Sequence, residues 1–493
     1  MAEECLVSRK KFGGKAMEVR SEMWTGLDLC SQGIKNISKS LFDMRFIRTL
    51  NLANNEIEVI PREICNLRHL EVLNLSKNKI RSIPPEIGKI VSLRELNLSD
   101  NLISNIPMEM GTLYNLEVFE IANNPLIVPF NTLIRDKKLL QFCREHNTGY
   151  PPPNDRLWIE CTGKNVFYGD TVSVGTFNIL SNIYATRMTY APSWVINSEF
   201  RREGVLQEIV LYNVDILCLQ EIELYSFFDF YKEQLEMRCN YDSIIYPRGR
   251  VKSVPDKKNV DGCAIFWRRS KFRLIAQFPI DFHQKVIQDT RFNTNQELLD
   301  RYGKKDNIAI GALLERPNGQ QVLVMNTHIF WDPDYPDIKL LQVLLLVEEI
   351  KRVSSRHPNA CLLLQGDFNS LRSSSVYKSI TTPVIDFADF GDTMQHLSNQ
   401  QFGDGLGLND AYSNQDLGFT NFTPGFKGVI DYIFYGGGIS LASVLSPVED
   451  EYTENVAGLP NMHFPSDHIF LGAKFAFPNK NISQNAFGRN SRQ

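Results

Sequence analysis

A repeat with a period of 23 residues constrains the N-terminal part of this chain more than any other feature. Asn55, Asn78, Asn101 and Asn124 follow one another at that spacing. Their common frame is L-x-x-L-x-L-x-x-N-x-I, as in LEVLNLSKNKI at 70–80. This is the pattern of leucine-rich repeats, in which the leucines of successive turns stack into one continuous core. We therefore predict a solenoid whose asparagine side chains bond backbone groups in the turns.

The repeats and the segments around them divide the chain. After an N-terminal segment, 1–19, the repeats are predicted over 20–147, ending in a capping helix over 132–146. Such solenoids usually hold another protein on a curved surface of short strands, although they could serve only to brace the next domain. Residues 148–170 include three consecutive prolines at 151–153 and read as a linker. The polar tail, 479–493, is expected to be disordered.

Composition excludes several classes of protein. A chain of 493 residues is too long for one ordinary domain. Its net charge of −4 means that any affinity for nucleic acid comes from local basic patches. Nine cysteines without a C-x-x-C pair predict neither a disulfide framework nor a disulfide-linked partner, and they favour a reducing compartment. The first residues lack the apolar segment of a signal peptide, and no run is long enough to cross a membrane.

Residues 171–478 are predicted to form an α/β domain. Short apolar runs such as VDILCLQEI (214–222) and ACLLLQGDF (360–368) read as buried strands. They alternate with helical stretches such as IKLLQVLLLVEEIKRV (338–353). This alternation is typical of a layered α/β domain.

Most of these strands end in a small group of acidic, amide or imidazole residues. The group comprises Asn178, Glu221, His328, Asp367, Asn369, Asp431, Asp467 and His468. Polar residues at strand ends are exposed at one rim of a sheet, so residues far apart in sequence can share one cleft. Hard divalent cations prefer oxygen ligands, and a pentavalent phosphate is stabilised by hydrogen-bond donors. The set therefore points to an enzyme that acts on phosphate esters.

The order of these motifs, N, QE, THxxWDP, GDFNS, IDYIF and SDH, resembles the exonuclease–endonuclease–phosphatase superfamily. APSWVINSEFRREGVLQEI (191–209), FWDPDYPDIKLLQ (330–342) and FTPGFKGVIDYIFYG (422–436) further resemble the poly(A)-specific carbon-catabolite-repression deadenylases. The resemblance covers about residues 20–478, including the repeats. It implies an α/β chain in which the leucine-rich repeat solenoid precedes a deoxyribonuclease-I-like sandwich of two sheets.

The resemblance also implies a function. The chain would be a Mg²⁺-dependent 3′-5′ exoribonuclease that shortens mRNA poly(A) tails and releases 5′-AMP during mRNA decay. The repeats would bind a companion deadenylase subunit through hydrophobic concave strands. A cytoplasmic location is expected, and a nuclear share is left open. The alternatives are a phosphatase or phosphodiesterase of the same superfamily acting on a non-RNA phosphoester, and a non-catalytic scaffold.

Residue roles follow from the same resemblance. Glu221, Asn178 and Asp467 are expected to hold the metal, and the neighbouring Glu223 is interpreted as solvated. Asp367 would orient or deprotonate the attacking water, and Asn369 would donate to a phosphoryl oxygen.

The remaining roles concern the imidazoles and the base. His468 is expected to pair with Asp431, and His328 to supply a second imidazole. Pro333 and Phe426 would sandwich the terminal adenine beside Asn369, although Phe426 could instead be a core residue. The basic stretch RGRVKSVPDKKN (248–259) would track the phosphate backbone or form a solvated loop.

Overall fold

The computed structural model describes residues 24–135, 138–161, 171–293, 295–390 and 402–477. The predicted N-terminal segment and tail, and part of the linker, lie outside these residues. The chain divides into two compact units, Met1–Leu139 and Leu140–Gln493. Within the described ranges, every helix is too short or too polar to cross a membrane.

The first unit is a leucine-rich repeat solenoid, as predicted. Its five parallel strands are β1 (Gly26–Asp28), β2 (Thr49–Asn51), β3 (Val72–Asn74), β4 (Glu95–Asn97) and β5 (Val118–Glu120). A 3₁₀ helix follows each of the first four strands, at Lys39–Asp43, Arg62–Asn66, Pro85–Lys89 and Met108–Thr112. Pro61, Pro84 and Pro107 precede the last three of these helices, where the fixed φ of proline suits the first turn.

The predicted asparagine ladder is present. Asn78 Nδ2 donates to the carbonyls of Leu52 and Leu75, each at 3.0 Å. Its Oδ1 accepts from the Ile57 N–H, also at 3.0 Å. The side chains of Asn55, Asn101 and Asn124 also donate to backbone carbonyls of the preceding repeat and of their own repeat. One side chain per turn thus satisfies backbone groups that the short strands leave without partners.

The strand face that points away from the leucine core is mainly polar, so the prediction of hydrophobic concave strands is wrong. Its residues in β2 to β5 are Thr49, Asn51, Val72, Asn74, Glu95, Asn97, Val118 and Glu120. Alternation along β2, β3 and β4 buries the central leucine and turns its neighbours outward, and the half-buried Phe119 takes the central position in β5. Only Val72 and Val118 are apolar among these outward positions.

The predicted capping helix is two helices, α1 (Phe130–Arg135) and α2 (Leu139–His146). Glu145 of α2 bonds to residues of the second unit. Glu145 accepts from the Ser193 hydroxyl at 2.9 Å, and the Trp194 indole donates to the Glu145 carbonyl at 3.1 Å. The second part of the segment predicted as a repeat cap, 140–146, therefore belongs to the second unit.

The second unit contains two large sheets, which confirms the predicted two-sheet sandwich. The first sheet has the strand order β6 (Trp158–Glu160), β19 (Ser440–Leu445), β20 (Leu471–Ala476), β7 (Thr171–Asn178), β8 (Ile216–Glu223), β10 (Asp261–Arg268) and β9 (Tyr241–Pro247). The second has the order β11 (Arg273–Asp281), β12 (Ile308–Glu315), β13 (Gln321–His328), β14 (Cys361–Asp367), β18 (Asp431–Gly436) and β15 (Asn409–Asp410). A separate hairpin joins β16 (Asn421–Thr423) and β17 (Phe426–Gly428).

The predicted linker is partly structured. Its residues Trp158–Glu160 form β6, which pairs antiparallel with β19 at the edge of the first sheet. The prolines at 151–153 did indicate a break in regular structure, but the apolar Trp158 and Ile159 complete a strand pair.

Apolar side chains fill the space between the sheets and cover their outer faces. Ile216, Ile265, Val324, Leu363 and Ile433 belong to one buried cluster that draws on both sheets. The helices include α3 (Asn182–Ala185), α4 (Ser198–Tyr212), α5 (Leu224–Ser226), α6 (Lys232–Cys239), α7 (Phe282–Gln288), α8 (Gln296–Tyr302), α9 (Pro336–Arg356), α10 (Ser375–Thr381) and α11 (Asp450–Thr453). Strands buried on both faces read as continuous apolar runs, which is the pattern that the sequence shows.

Candidate active site

Strand direction brings the polar strand ends together. Strands β13 and β14 are parallel, and His328 at the end of one is the register partner of Asp367 at the end of the other. Asp431 begins the antiparallel strand β18 directly opposite Asp367. In the other sheet, β7 and β8 are also parallel and end at Asn178 and Glu223. The predicted site residues therefore meet where the parallel strands end and the antiparallel strand β18 begins.

Asn178 links the two sheets at this rim and is fully buried. Its Nδ2 donates to Glu221 Oε1 at 3.1 Å and to Asp367 Oδ2 at 3.0 Å. Its Oδ1 accepts from the Leu180 N–H at 3.0 Å. One amide thus holds a carboxylate of the first sheet beside a carboxylate of the second.

Glu221 lies in a β-bulge. The register between β10 and β8 shifts between Gly262 and Ala264, so β8 has one extra residue at this point. Glu221 itself has φ of 59°, a value that non-glycine residues adopt only where the surroundings impose it. Bulges commonly redirect a side chain next to an active site.

The carboxyl group of Glu221 is buried among other negative charges. Burial, and then the charges of Asp261 and Asp467, raise its pKa to about 7. Its Oε2 accepts from the Ser181 N–H at 2.8 Å. Within the described part of the chain, no lysine or arginine forms an ion pair with it.

Glu223 is not solvated, so that interpretation is wrong. It is 5% exposed and accepts from the Ser181 hydroxyl at 2.7 Å and from the Asn182 backbone and side-chain amides at 2.9 Å. The loop that follows β7 covers the end of β8 and therefore encloses both glutamates. Glu223 holds this loop in place, while Glu221 lies beside Asp367.

The GDFNS segment depends on a glycine. Gly366 has φ of 141°, and a Cβ there would lie 2.1 Å from the Thr327 carbonyl oxygen. The glycine allows β14 to approach β13 closely where the site begins. Beyond it, Asp367 Oδ1 accepts from the Asn369 N–H at 2.8 Å, and Asn369 Nδ2 donates to the Ile329 carbonyl at 3.0 Å. Burial, and then Asp431, raise the pKa of Asp367.

The predicted pair of His468 with Asp431 is present. His468 Nδ1 donates to Asp431 Oδ2 at 2.8 Å, and Nε2 lies 3.6 Å from Asp367 Oδ2. Burial alone would lower the pKa of His468, but Asp431, Asp467 and Asp367 outweigh it and hold the pKa well above its usual value. These carboxylates therefore favour the imidazolium form of His468. Asp467 accepts from the Asn421 side-chain amide at 3.0 Å.

His328 has the opposite environment. Its Nδ1 lies 2.9 Å from Nη2 of Arg248, and its Nε2 lies 3.5 Å from Asp367 Oδ2 and 3.9 Å from Glu221 Oε1. Burial, and then the Arg248 guanidinium, hold the pKa of His328 well below its usual value. The site therefore contains one neutral and one charged imidazole.

Arg248 and Arg250, the first two cations of the basic stretch, are held in ion pairs, whereas most residues of 252–259 are exposed, as in the predicted solvated loop. Arg248 and Arg250 pair with Asp261 and Asp306. Lys252 pairs with Asp281. Sequence reasoning missed Arg248 as a site residue. The available signal was Asp261, a charged residue at the start of the apolar strand DGCAIFW, because a buried charge requires a partner.

Two further buried cations hold the site loops and were also missed. Lys339, in an apolar part of α9, donates to the Asn369 carbonyl at 2.7 Å. Arg201 on α4 donates to the carbonyls of Ile179 and Pro465, both at 3.0 Å. It thereby joins the loop after Asn178 to the loop before Asp467. An isolated cation on a helix gives no sequence signal for such a role.

The two predicted base-binding residues lie on surface segments beside the site. Phe426 is 38% exposed, so it is not a core residue. A Cβ on Gly428 would lie 2.8 Å from the Phe426 ring and 3.2 Å from Leu371, so these two side chains form one apolar surface. Pro333 is exposed in the loop between β13 and α9, which Asn369 anchors through Ile329.

The residues fit a divalent metal ion. Ligand atoms of Asp367, Asp431 and His468 lie within 4.8 Å of one another. His468 is protonated and bonded to Asp431, which makes it a poor ligand. Glu221 instead offers carboxylate oxygens, and burial, followed by the negative charges of Asp261 and Asp467, raises its pKa. A hard cation would compensate that charge.

Comparison with known protein families finds a separate match for each of the two units. Residues 26–125 match the profile described as leucine-rich repeat region. Residues 175–468 match that of the Endonuclease/Exonuclease/phosphatase family. This second match covers more than half of the chain, so the chain belongs to that family.

Its curated relatives carry a narrower name. A protein of Vairimorpha ceranae named probable CCR4-Not complex 3′-5′-exoribonuclease subunit Ccr4 is 54% identical over 96% of this chain and 99% of its own length. A protein of the same name from Enterocytozoon bieneusi is 45% identical over 72% of this chain and 74% of its own length. Within the family, the chain therefore belongs with the Ccr4 subunits.

Among solved structures, ANGEL2 has a similar fold. ANGEL2 is described as a 2′,3′-cyclic phosphatase, in complex with adenosine-2′,3′-vanadate. It is 25% identical, with a TM-score of 0.52, over 65% of this chain and 98% of its own.

Proposed function

We propose that the chain is a Mg²⁺-dependent 3′-5′ exoribonuclease that shortens mRNA poly(A) tails and releases 5′-AMP. The observation that carries the proposal is the Asn178 amide, which bonds Glu221 and Asp367 at once beside two imidazoles of opposite charge state. The high identity to the Ccr4 exoribonuclease subunits supports the same activity.

Glu221 and Asp467 would hold the metal, and Asn178 would position the Glu221 carboxylate beside it. When bound, Mg²⁺ would polarise the phosphate and stabilise the charge that develops on the leaving oxygen. The carboxylates fit this role because their oxygens are the ligands that Mg²⁺ prefers. Glu223 contributes indirectly, since its bonds to Ser181 and Asn182 hold the loop that donates to Glu221.

Asp367 is the group that takes the proton from the attacking water. Its raised pKa suits a base that works near neutral pH. The water oxygen forms a bond to phosphorus opposite the 3′-oxygen of the preceding nucleotide, and the bond from phosphorus to that oxygen breaks. The products are 5′-AMP and an RNA shortened by one residue, and the 2′-hydroxyl takes no part.

Three donors stabilise the negative charge on the phosphoryl oxygens. The His468 imidazolium, oriented by Asp431, and the neutral His328 both direct Nε2 toward Asp367, where the phosphate would lie. Asn369 uses one amide hydrogen on the Ile329 carbonyl, and the second remains for the phosphate. One such donor typically contributes about 10²–10³ in rate.

Recognition of adenine is assigned to Phe426 and Pro333. Both are exposed beside the site, and a flat aromatic ring opposite a proline ring can enclose a purine. One stacking contact contributes roughly 1–3 kcal/mol. Asn369, two residues after Asp367, contacts the β13–α9 loop that carries Pro333.

The repeats would bind a companion subunit of the deadenylase complex, since the relatives are named as CCR4-Not subunits. The polar strand face favours a partner that reads asparagine and glutamate side chains. Glu95→Lys with Glu120→Lys should weaken capture of that subunit by the full chain and leave RNA cleavage unchanged. A cytoplasmic location, where mRNA is degraded, is part of the proposal.

The direct test uses 5′-labelled A₂₀, U₂₀ and C₂₀ RNA with Mg²⁺ or EDTA. Stepwise 3′ shortening of A₂₀, release of 5′-AMP, and loss of both in EDTA and in Glu221→Ala are expected. Equal cleavage of all three RNAs would indicate a general nuclease, and cleavage in EDTA would exclude the metal.

The alternative is a phosphatase or phosphodiesterase that acts on a non-RNA phosphoester or a terminal phosphate. The similarity of the fold to ANGEL2, which is described as a 2′,3′-cyclic phosphatase, supports this alternative. Hydrolysis of adenosine-2′,3′-cyclic phosphate, with no shortening of A₂₀, would replace the exoribonuclease by this activity.

A further inference from the structure

Arg248, for which the sequence patterns predicted no role in the site, contacts His328 directly. Its guanidinium is 9% exposed, and each of its three nitrogens has a partner of its own. Nε donates to Asp261 Oδ2 at 2.7 Å, and Nη1 lies 3.7 Å from Asp306 Oδ1. The remaining nitrogen, Nη2, lies 2.9 Å from His328 Nδ1.

The chemistry of the two groups determines the direction of this hydrogen bond. A guanidinium has five N–H donors and no acceptor. Nδ1 of His328 must therefore accept from Arg248, so the ring hydrogen of neutral His328 is on Nε2. That nitrogen lies 3.5 Å from Asp367 Oδ2, at the centre of the site. The other tautomer would place two donors against each other and present a lone pair to the phosphate.

We propose that Arg248, oriented by Asp261, is a positioning residue that holds His328 as the Nε2–H tautomer, with its only ring hydrogen directed at the substrate phosphate. The role in catalysis rests on the proposed function, because His328 acts through a phosphoester. The tautomer itself does not depend on the reaction.

Burial and geometry explain why an arginine is required. Asp261 is almost completely buried and also pairs with Arg250, so it fixes Arg248 from one side. The planar fork of Arg248 can bond Asp261 and His328 at the same time with little freedom to rotate. Arg248 donates a hydrogen bond to Nδ1 of His328 but keeps its own proton, so it orients the ring and leaves it neutral. The site then has a second phosphate donor without a second positive charge beside His468.

Arg250 provides a matched control. It pairs with the same two acids, Asp261 and Asp306, and its third partner is the Tyr184 hydroxyl at 3.1 Å. Arg250→Met therefore disturbs the same ion-pair network without removing the bond to His328.

The experiment measures the ring-nitrogen chemical shifts of the metal-free, full-length chain labelled with ¹⁵N-histidine. His328→Gln identifies the signals. We expect an unprotonated Nδ1 and a protonated Nε2 for His328 in the wild type and in Arg250→Met. In Arg248→Met the Nδ1 signal should move toward the protonated range, and Arg248→Lys, which keeps a donor, should restore part of the difference.

Activity is the second readout. Arg248→Met should lower kcat/KM on A₂₀ by about tenfold to a hundredfold, because the His328 donor is disordered rather than absent. Arg250→Met should leave it unchanged. A protonated Nδ1 in the wild type would overturn the proposal, as would unchanged shifts in Arg248→Met or equal effects of the two methionine variants. If Arg248→Met fails to fold, the spectra of the wild type and of Arg248→Lys still test which nitrogen of His328 carries the hydrogen. Absence of RNA cleavage in the wild type would refute the proposed function and leave the spectra informative.

Discussion

Glu221→Gln should stabilise the metal-free protein at alkaline pH while removing its response to Mg²⁺. The folded state raises the pKa of this carboxyl from 4.5 to about 7. The folded protein thus binds the proton more tightly than the unfolded chain does. Stability is therefore lost as pH rises from the unfolded pKa toward 7, and the loss is complete above that value.

The magnitude follows from the shift. A displacement from 4.5 to about 7 destabilises the metal-free protein by about 3 kcal/mol at pH 8 and by about 1 kcal/mol at pH 5. Glutamine has no charge to bury, but it cannot accept from both Asn178 and Ser181, which costs about 1 kcal/mol. The variant should thus be about 2 kcal/mol more stable than the wild type at pH 8, and about equally stable at pH 5.

The assay is urea unfolding of the full chain in EDTA at both pH values, repeated at pH 8 with Mg²⁺. Mg²⁺ should stabilise the wild type but not Glu221→Gln. Glu223→Gln is the control, because Glu223 accepts three hydrogen bonds from neutral groups and its loss should destabilise the protein at both pH values. The reasoning fails if Glu221→Gln changes stability equally at pH 5 and pH 8, or if Mg²⁺ stabilises that variant as well.

Three other expectations concern the base, the charged imidazole and the repeats. Phe426→Ala should lower kcat/KM on A₂₀ by about tenfold, through loss of one stacking contact, and should affect U₂₀ less; equal losses would remove the adenine role. Asp431→Asn should reduce activity more at pH 8 than at pH 6, because without that carboxylate the pKa of His468 falls and the imidazolium is lost as pH rises; parallel pH–rate profiles would contradict this. Asn78→Ala should lower the free energy of unfolding of the repeats by about 1–3 kcal/mol in urea, because it leaves the Leu52 and Leu75 carbonyls without their side-chain donor; an unchanged midpoint would mean that the ladder contributes nothing.

Much of the site was predictable because its residues sit at the ends of recognisable strands. His328 and Asp367 each follow an apolar run, and parallel pairing of those runs makes them neighbours. The same reasoning failed for Glu223. Its burial depends on the loop after β7, whose Ser181 and Asn182 donate to it from about 40 residues earlier in the chain, and the local pattern around Glu223 does not show this contact.

Arg248 shows the same limit for charged residues. A run of cations reads as a solvated or phosphate-binding segment, and only the positions of Asp261 and Asp306 convert it into a buried ion-pair network. Lys339 and Arg201 were missed for a related reason. Each bonds backbone carbonyls of loops that are distant in sequence, so no spacing rule predicts the contact.

By itself, the sequence determined the solenoid, the order of strands and helices in the second domain, and most of the residues at its polar rim. These features depend on local periodicity and on residue type, which are both readable along the chain. Only the tertiary structure decided which carboxylates share a hydrogen-bond donor, which histidine is charged, and which strand face is polar. Those properties depend on burial and on charges brought close by folding, and a linear pattern shows neither burial nor the distance between charges.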